Sequence, residues 1–186
     1  MWYVIQVKTG EESGIARKLK SQSIRAEVPI ENRPIRTGGA WTKKEYILFP
    51  GYVFLDMDFT ARNYYRVKEV PGVIRFLGDS KAPSTLSYLE AEWIRILSGN
   101  GEPLEPTLVR EDGSGGITVI SGVLKQLENR VLKWDKRSRK ATFEITICGE
   151  ARQVQLGIEV EGGGELQEAG SDAFQDAAQP LLQDAT

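Results

Sequence analysis

The chain has 186 residues, enough for one medium domain or two small ones, and its 40% hydrophobic content is a globular level. With no histidine and one cysteine, Cys148, it can form no intrachain disulfide, cannot assemble the usual zinc ligand sets, and lacks the residue most used for proton transfer near neutral pH. The formal charge of −2 hides an uneven distribution: residues 1–98 carry 15 Lys+Arg against 11 Asp+Glu, whereas residues 162–186 carry five acids and no base, so a net-acidic chain can still present a basic face.

Met1-Trp2-Tyr3-Val4-Ile5 has no charged leader and no apolar signal region. No apolar run reaches the roughly 18–20 residues that span a bilayer. A cytoplasmic protein without a membrane partner is the expectation. Residues 2–8 alternate, with Tyr3, Ile5 and Val7 on one face, and predict a strand with a strongly buried side. Thr9-Gly10-Glu11-Glu12 fits a capping box, followed by a helix carrying Ile15, Ala16 and Leu19. A short strand is expected at 26–30. Residues 31–46 form a polar excursion with Gly38-Gly39 at a hairpin tip, a segment that reads first as a flexible loop.

Residues 46–56 are the most apolar run. Pro50 within it predicts an edge position or a bulge. Thr60 caps a second predicted helix with Tyr64, Val67 and Val70, and Val73–Leu77 reads as a strand. Ser87-Tyr88-Leu89-Glu90 is a second capping box, ahead of a helix face of Leu89, Trp93, Ile96 and Leu97; Gly99 suits the left-handed residue that ends such a helix. The order describes an α+β sandwich over residues 1–98. Residues 99–110, with Pro103 and Pro106, read as an extended linker. Over 111–161 the pattern is all-β: 117–120, 131–134, 141–148 and 153–158 are short runs separated by turns, which suits a small barrel. Residues 162–186 predict an acidic, disordered tail.

An ordered set of segments now carries a resemblance. Trp2-Tyr3-Val4-Ile5-Gln6-Val7, Val28-Pro29, Leu48-Phe49-Pro50-Gly51-Tyr52-Val53-Phe54, Val70-Pro71-Gly72-Val73-Ile74-Arg75-Phe76-Leu77-Gly78 and a Leu-Ser-x-x-Glu start at 86–90 resemble the N-terminal domain of the NusG family. Ile117–Leu124, Thr146–Gly149 and Val154–Leu156 resemble its KOW module, an SH3-like barrel. The family's Gly-Pro-Phe is Gly122-Val123-Leu124 here, and a usual glycine is Asn129. With Leu124 in place of the phenylalanine, contacts to Rho and to a ribosomal protein are not carried over. Trp41, the run Trp134–Ala141 and Gly157-Ile158-Glu159-Val160 look more like LoaP, a specialised branch whose members antiterminate long operons and are thought to read the nascent transcript.

The resemblance implies a polymerase-docking patch at Tyr3, Phe49, Tyr52, Phe54 and Leu77, with Phe76 beside it, facing the clamp helices of the largest RNA polymerase subunit. Aromatic anchors supply much of the energy at small interfaces. The same residues also read as ordinary core, and strand alternation requires half of them to be so. Lys125, Arg130, Lys133, Lys136, Arg137, Arg139 and Lys140 gather around a predicted hairpin tip where basic side chains can reach phosphates, and Trp134 beside them could stack on a base. These residues are the candidate RNA-binding set, for a nascent transcript hairpin. A solvated turn with Trp134 in the core is the plain reading of the same run. Arg33, Arg36, Lys43 and Lys44 offer a second basic surface toward upstream DNA or RNA. No catalytic constellation, cofactor motif or metal set stands out, and the expectation is a monomeric binding factor that is not an enzyme. The competing reading is a housekeeping NusG bridging polymerase to Rho or the ribosome.

Overall fold

The computed structural model describes residues 1–79, 82–127 and 130–163, together with the backbone of 166–167. The N-terminal part runs β1 (Trp2–Val7), α1 (Glu12–Ser21), β2 (Arg25–Glu27), β3 (Ile30–Thr37), β4 (Ala40–Ile47), β5 (Tyr52–Asp56), α2 (Ala61–Lys68), β6 (Val73–Phe76) and α3 (Tyr88–Leu97). The C-terminal part runs β7 (Thr107–Glu111), β8 (Ile117–Ser121), β9 (Val131–Asp135), β10 (Lys140–Ile147) and β11 (Glu150–Val160), with a short β12 (Leu166–Gln167) after it.

β1 and β5 occupy the centre of a four-stranded sheet of order β2-β5-β1-β6. Both central strands bury two faces, because alternate residues of a strand point to opposite sides. Tyr3, Ile5, Val7, Val53 and Leu55 meet Ile15, Ala16 and Leu19 of α1 and Val67 of α2. On the opposite face Val4 and Phe54, joined by Trp2 and Tyr52, meet Ala91, Ile94 and Leu97 of α3. The predicted α+β sandwich is thus present. The all-β part is a five-stranded sheet of order β8-β7-β11-β10-β9, and its core of Val109, Leu124, Phe143, Ile145, Val154, Leu156 and Ile158 joins the α3 side of the first sheet in one continuous apolar cluster.

Thr60 caps α2 by accepting from the Asn63 amide, and Ser87 with Glu90 forms the full capping box of α3. Gly99 follows α3 with φ +54°, the left-handed turn its position predicts. The Thr9 capping box does not form. Glu11 sits at the N-cap of α1 without a side-chain bond, and the Glu12 carboxylate accepts from Gly10 N at 2.8 Å and from Gly51 N at 2.7 Å. A long-range bond therefore takes the group that the local motif needed. Pro50 lies neither in a strand nor in a bulge but in the exposed turn between β4 and β5, which leaves β5 free to be central.

The segment 31–46 is a regular hairpin with Gly38-Gly39 at its tip. A strand, β7, begins at Thr107 inside the range expected to be linker, and Leu104 exchanges backbone hydrogen bonds with Ile30 and Asn32 of β3. Asn129, and positions 164–165 and 168–186 of the predicted tail, lie outside the described residues; β12 falls within that tail and pairs parallel to β4.

Candidate functional site

The β4–β5 turn and the end of β6 build the apolar patch. Glu12 reaches 39 residues along the chain to hold Gly51 N, fixing the turn that presents Phe49 and Tyr52. The Phe49 ring meets Phe54 edge-on, with centroids 5.3 Å apart. Phe49, Tyr52, Phe54 and Leu77 all belong to the cluster on the α3 side of the sheet. Tyr3 belongs to the opposite face, where its ring contacts Phe59 and Phe76, so it does not join the other four. Phe49 is 8% exposed and Phe54 1%; the partial exposure expected of Phe49 is absent, because the C-terminal sheet stands over it. Tyr52 and Leu77 remain half-buried.

The cover is the β10–β11 hairpin. A cleft of about 550 Å³ separates Val4, Phe49, Tyr52 and Leu77 from Ile147, Cys148, Arg152 and Val154. The Arg152 guanidinium stands 6.0 Å from the Tyr52 ring centroid. At this end Glu90 accepts from Gly149 N at 3.0 Å through one carboxylate oxygen and from Ser87 N at 2.7 Å through the other. Burial raises the Glu90 carboxyl, but the hydrogen bonds from Gly149 and Ser87 outweigh it and hold it below the ordinary range. Burial, reinforced by Glu90 and Glu150, pushes the Cys148 thiol up, so it stays protonated and inert.

At the far end of β11 the contacts are with β3. Glu31, 2% exposed, accepts from Gly157 N at 2.7 Å and pairs with Arg33, which donates to the Gln155 carbonyl at 3.0 Å and lies 4.6 Å from the Tyr46 ring centroid. Burial raises the Glu31 carboxyl above the usual 4.5, with Gly157 and Arg33 opposing. A Cβ at Gly157 would fall 2.5 Å from Pro34 Cδ, so only glycine allows this approach.

The basic set divides. Arg139, at φ +51°, is 4% exposed, its guanidinium 4.2 Å from the Trp41 ring centroid and donating to the Gly163 carbonyl. Arg130 stacks 4.6 Å from Trp93 of α3. Lys136 pairs with Glu111, and Lys140 is half-buried near Glu31. Lys133 and Arg137 stand exposed around the β9–β10 turn, and Lys125 is exposed on the separate 3-10 turn Val123–Gln126. Trp134 is half-buried against the core. Leu124, where the family pattern has phenylalanine, is fully buried. Of the second basic surface, Arg36 and Lys44 are exposed, while Arg33 and Lys43 pair with Glu31 and Glu105.

Sequence reasoning missed Glu31, Glu90 and Arg152 as contacts between the two parts. Glu90 carried a signal, its capping box, that pointed to another job. Glu31 carried none. Among the described residues no His, Cys, Asp or Glu cluster is arranged to hold a metal, and no helix is long and apolar enough to cross a membrane.

Residues 1–95 fit the family model described as "Transcription termination factor nusG". The transcription termination/antitermination protein NusG of Helicobacter pylori J99 is 26% identical over 165 residues, covering 83% of this chain and 93% of that protein. NusG of Buchnera aphidicola is 29% identical over 167 residues, covering 83% and 91%. A solved structure, reported as "Domain interaction in Thermotoga maritima NusG", superimposes with TM-score 0.51 at 23% identity over 84% of this chain and 93% of that one, a likeness of fold. With the family model covering half the sequence, and an α+β sandwich joined to an all-β sheet, the chain belongs to the NusG family of transcription termination/antitermination proteins.

Proposed function

We propose that this chain is a transcription elongation regulator that docks on the clamp helices of RNA polymerase through Phe49, Tyr52 and Leu77, and that the arrangement described above is its closed form. The observation that carries this reading is the position of the β10–β11 hairpin over the patch that the family resemblance assigns to polymerase. A clamp-helix tip and this hairpin cannot both occupy the patch, so docking requires the C-terminal sheet to move away. The polymerase then shifts a pre-existing equilibrium by binding only the open state.

Once released, Lys133, Lys136 and Arg137 at the β9–β10 turn form the surface for a nascent RNA hairpin, and Arg130, Arg139 and Lys140 join them as their partners on the N-terminal part fall away. Closure thus sequesters Arg130, Arg139 and Lys140 together with the apolar patch, which couples RNA recognition to polymerase docking. The specialised role, antitermination of a particular long operon in the manner of LoaP, rests on Trp41, the Trp134–Ala141 run and the loss of the family phenylalanine at Leu124.

The test is binding of the full chain to purified RNA polymerase. Tyr52→Ala should weaken it at least several-fold, and Glu31→Ala, which loosens the closed form, should strengthen it. Equal affinity for wild type and both variants would refute docking through this face. Phe49 is a poor probe, since truncating a buried phenylalanine costs ~3–5 kcal/mol of fold stability. For the RNA arm, Lys136→Ala with Arg137→Ala should flatten the salt dependence of binding to the leader of the neighbouring operon. Retained Rho binding, with no RNA preference, would instead favour a housekeeping factor.

A further inference from the structure

The two walls of the cleft between the β10–β11 hairpin and the apolar patch differ in chemistry from floor to rim. The floor is apolar: Val4, Phe49, Tyr52 and Leu77 face Ile147 and Val154 across about 550 Å³. That volume lies within the roughly 300–1,000 Å³ typical of small-molecule sites, which are mostly apolar with a few placed polar groups. The floor is also held in place. Glu12 fixes the turn at Gly51 N, and the Phe49 ring packs edge-on against Phe54. A preformed wall asks little ordering of a ligand's site.

Each wall adds one guanidinium at the rim, Arg75 from β6 and Arg152 from β11. Arg75 is exposed, and its one hydrogen bond among the described residues runs from Nε to Gln6 Oε1 at 3.0 Å. Its two terminal nitrogens face no acceptor there. Arg152 donates through one terminal nitrogen to Oε2 of the exposed Glu150 at 2.6 Å. Its guanidinium stands 6.0 Å from the Tyr52 ring centroid, so the positive charge adjoins the aromatic floor. Glu150 is the one acid among the described lining residues, which leaves two positive charges against one negative.

We infer that this cleft is a binding site for a small aromatic anion, with its ring against Phe49, Tyr52 and Leu77 and its acidic group between Arg75 and Arg152. The inference rests on the closed form described above and adds to it a ligand that spans both parts of the chain. A carboxylate, sulfonate or phosphate can accept from both guanidinium groups at once. The ring removes from water the apolar surface that the walls leave open. Because Arg75 and Arg152 belong to different walls, the bound anion holds the hairpin on the patch, and its binding free energy adds to the stability of the closed form.

Titration of the full chain with naphthalene-1-sulfonate at low salt, followed by backbone amide NMR shifts, tests this. Shifts should be largest at Leu77, Gly78, Cys148 and Arg152 and small on α2, and the Gly149 amide should gain protection from exchange. Arg75→Gln and Arg152→Gln should each weaken binding roughly tenfold, the scale of one charge-assisted hydrogen bond. Glu150→Gln should tighten it several-fold by releasing Arg152. Arg110→Gln, which removes a guanidinium paired with Glu161 outside the cleft, should leave it unchanged. Shifts that do not saturate at the cleft would overturn the proposal, as would an affinity indifferent to both cleft arginines. None of these readouts involves polymerase, so a failure of polymerase docking would not alter them.

Discussion

The two ends of the contact between the N-terminal and C-terminal parts use one device in two ways. At each, a carboxylate accepts from a glycine amide of the β10–β11 pair: Glu31 from Gly157, and Glu90 from Gly149. The Glu31 end is made jointly. Its carboxylate is shared with Arg33, Arg33 reaches back to Gln155, and β11 comes close only because Gly157 has no Cβ. The Glu90 end is preformed, since the capping box of α3 orients the carboxylate whether or not Gly149 is present. Cys148 and Glu150, on either side of Gly149, also line the open cleft. Separation should therefore begin at Glu90 and finish at Glu31, and the Gly149 amide should exchange with solvent faster than the Gly157 amide.

The largest effect expected is at Glu31. Glu31→Ala removes a charge-assisted bond to Gly157 and leaves Arg33 without its carboxylate, a loss of ~1.5–3 kcal/mol on typical values for hydrogen bonds to charged groups. Urea unfolding monitored at Trp fluorescence measures it. A loss under ~0.5 kcal/mol would mean that the jointly made end holds no more tightly than an exposed pair, and the comparison would collapse.

A smaller effect separates the two jobs of Glu90. Ser87→Ala removes only the bond that Ser87 Oγ accepts from the Glu90 amide and should cost ~1 kcal/mol. Glu90→Ala leaves that bond and removes the two that the carboxylate accepts, from Ser87 N and from Gly149 N, and should cost more. The excess reports what the carboxylate's clasp on Gly149 adds to its share of the cap. Equal losses would show that Gly149 gains nothing from the preformed carboxylate.

Titration sharpens the contrast, because the two carboxyls move in opposite directions. Glu31 is raised by burial, so the part of the stability linked to its protonation is full below the ordinary 4.5 and is lost as pH rises through its raised value, while its bonds to Gly157 and Arg33 offset part of that loss. Glu90 is lowered because its hydrogen bonds outweigh burial, so its contribution is present above 4.5 and is lost as pH falls through its lowered value. Side-chain carboxyl NMR shifts should place Glu31 above and Glu90 below 4.5. The reverse order would contradict both descriptions. On acidification, protection of Gly149 should fall before that of Gly157, once intrinsic exchange is allowed for.

These contrasts mark where the sequence could be read. Periodicity found β1 and the four runs that became β8 to β11, because alternation is a local signal; the segment 31–46 showed its Gly38-Gly39 tip but read first as a flexible loop, and it is a regular hairpin. It found the Ser87 box and missed the failure of the Thr9 box, because Gly51, a partner 39 residues away, takes the Glu12 carboxylate. It missed β7, whose five residues sit beside Pro106 with no clear alternation and gain their partners from β8 and β11. The apolar patch was legible as a set of residues. Its cover was not, because a sheet buried on both faces looks the same whether core or a second unit lies above it. The basic run 125–140 was legible as charge, but nothing local revealed that Arg139 would be turned by a left-handed backbone onto Trp41 while Arg137 stays in water.

The smallest effect expected lies in the cleft itself. Arg152 is exposed, pairs with the exposed Glu150 and stands 6.0 Å from the Tyr52 ring, at the outer limit for a cation over an aromatic face. Arg152→Ala should therefore change stability by no more than ~0.5–1 kcal/mol, and a double-mutant cycle with Tyr52→Ala should give a coupling at the low end of that range. A coupling as large as the loss at Glu31 would reverse the ranking of the two ends. The hairpin tip would then be the firm contact and β3 the yielding one, and opening would have to start where β11 meets Pro34.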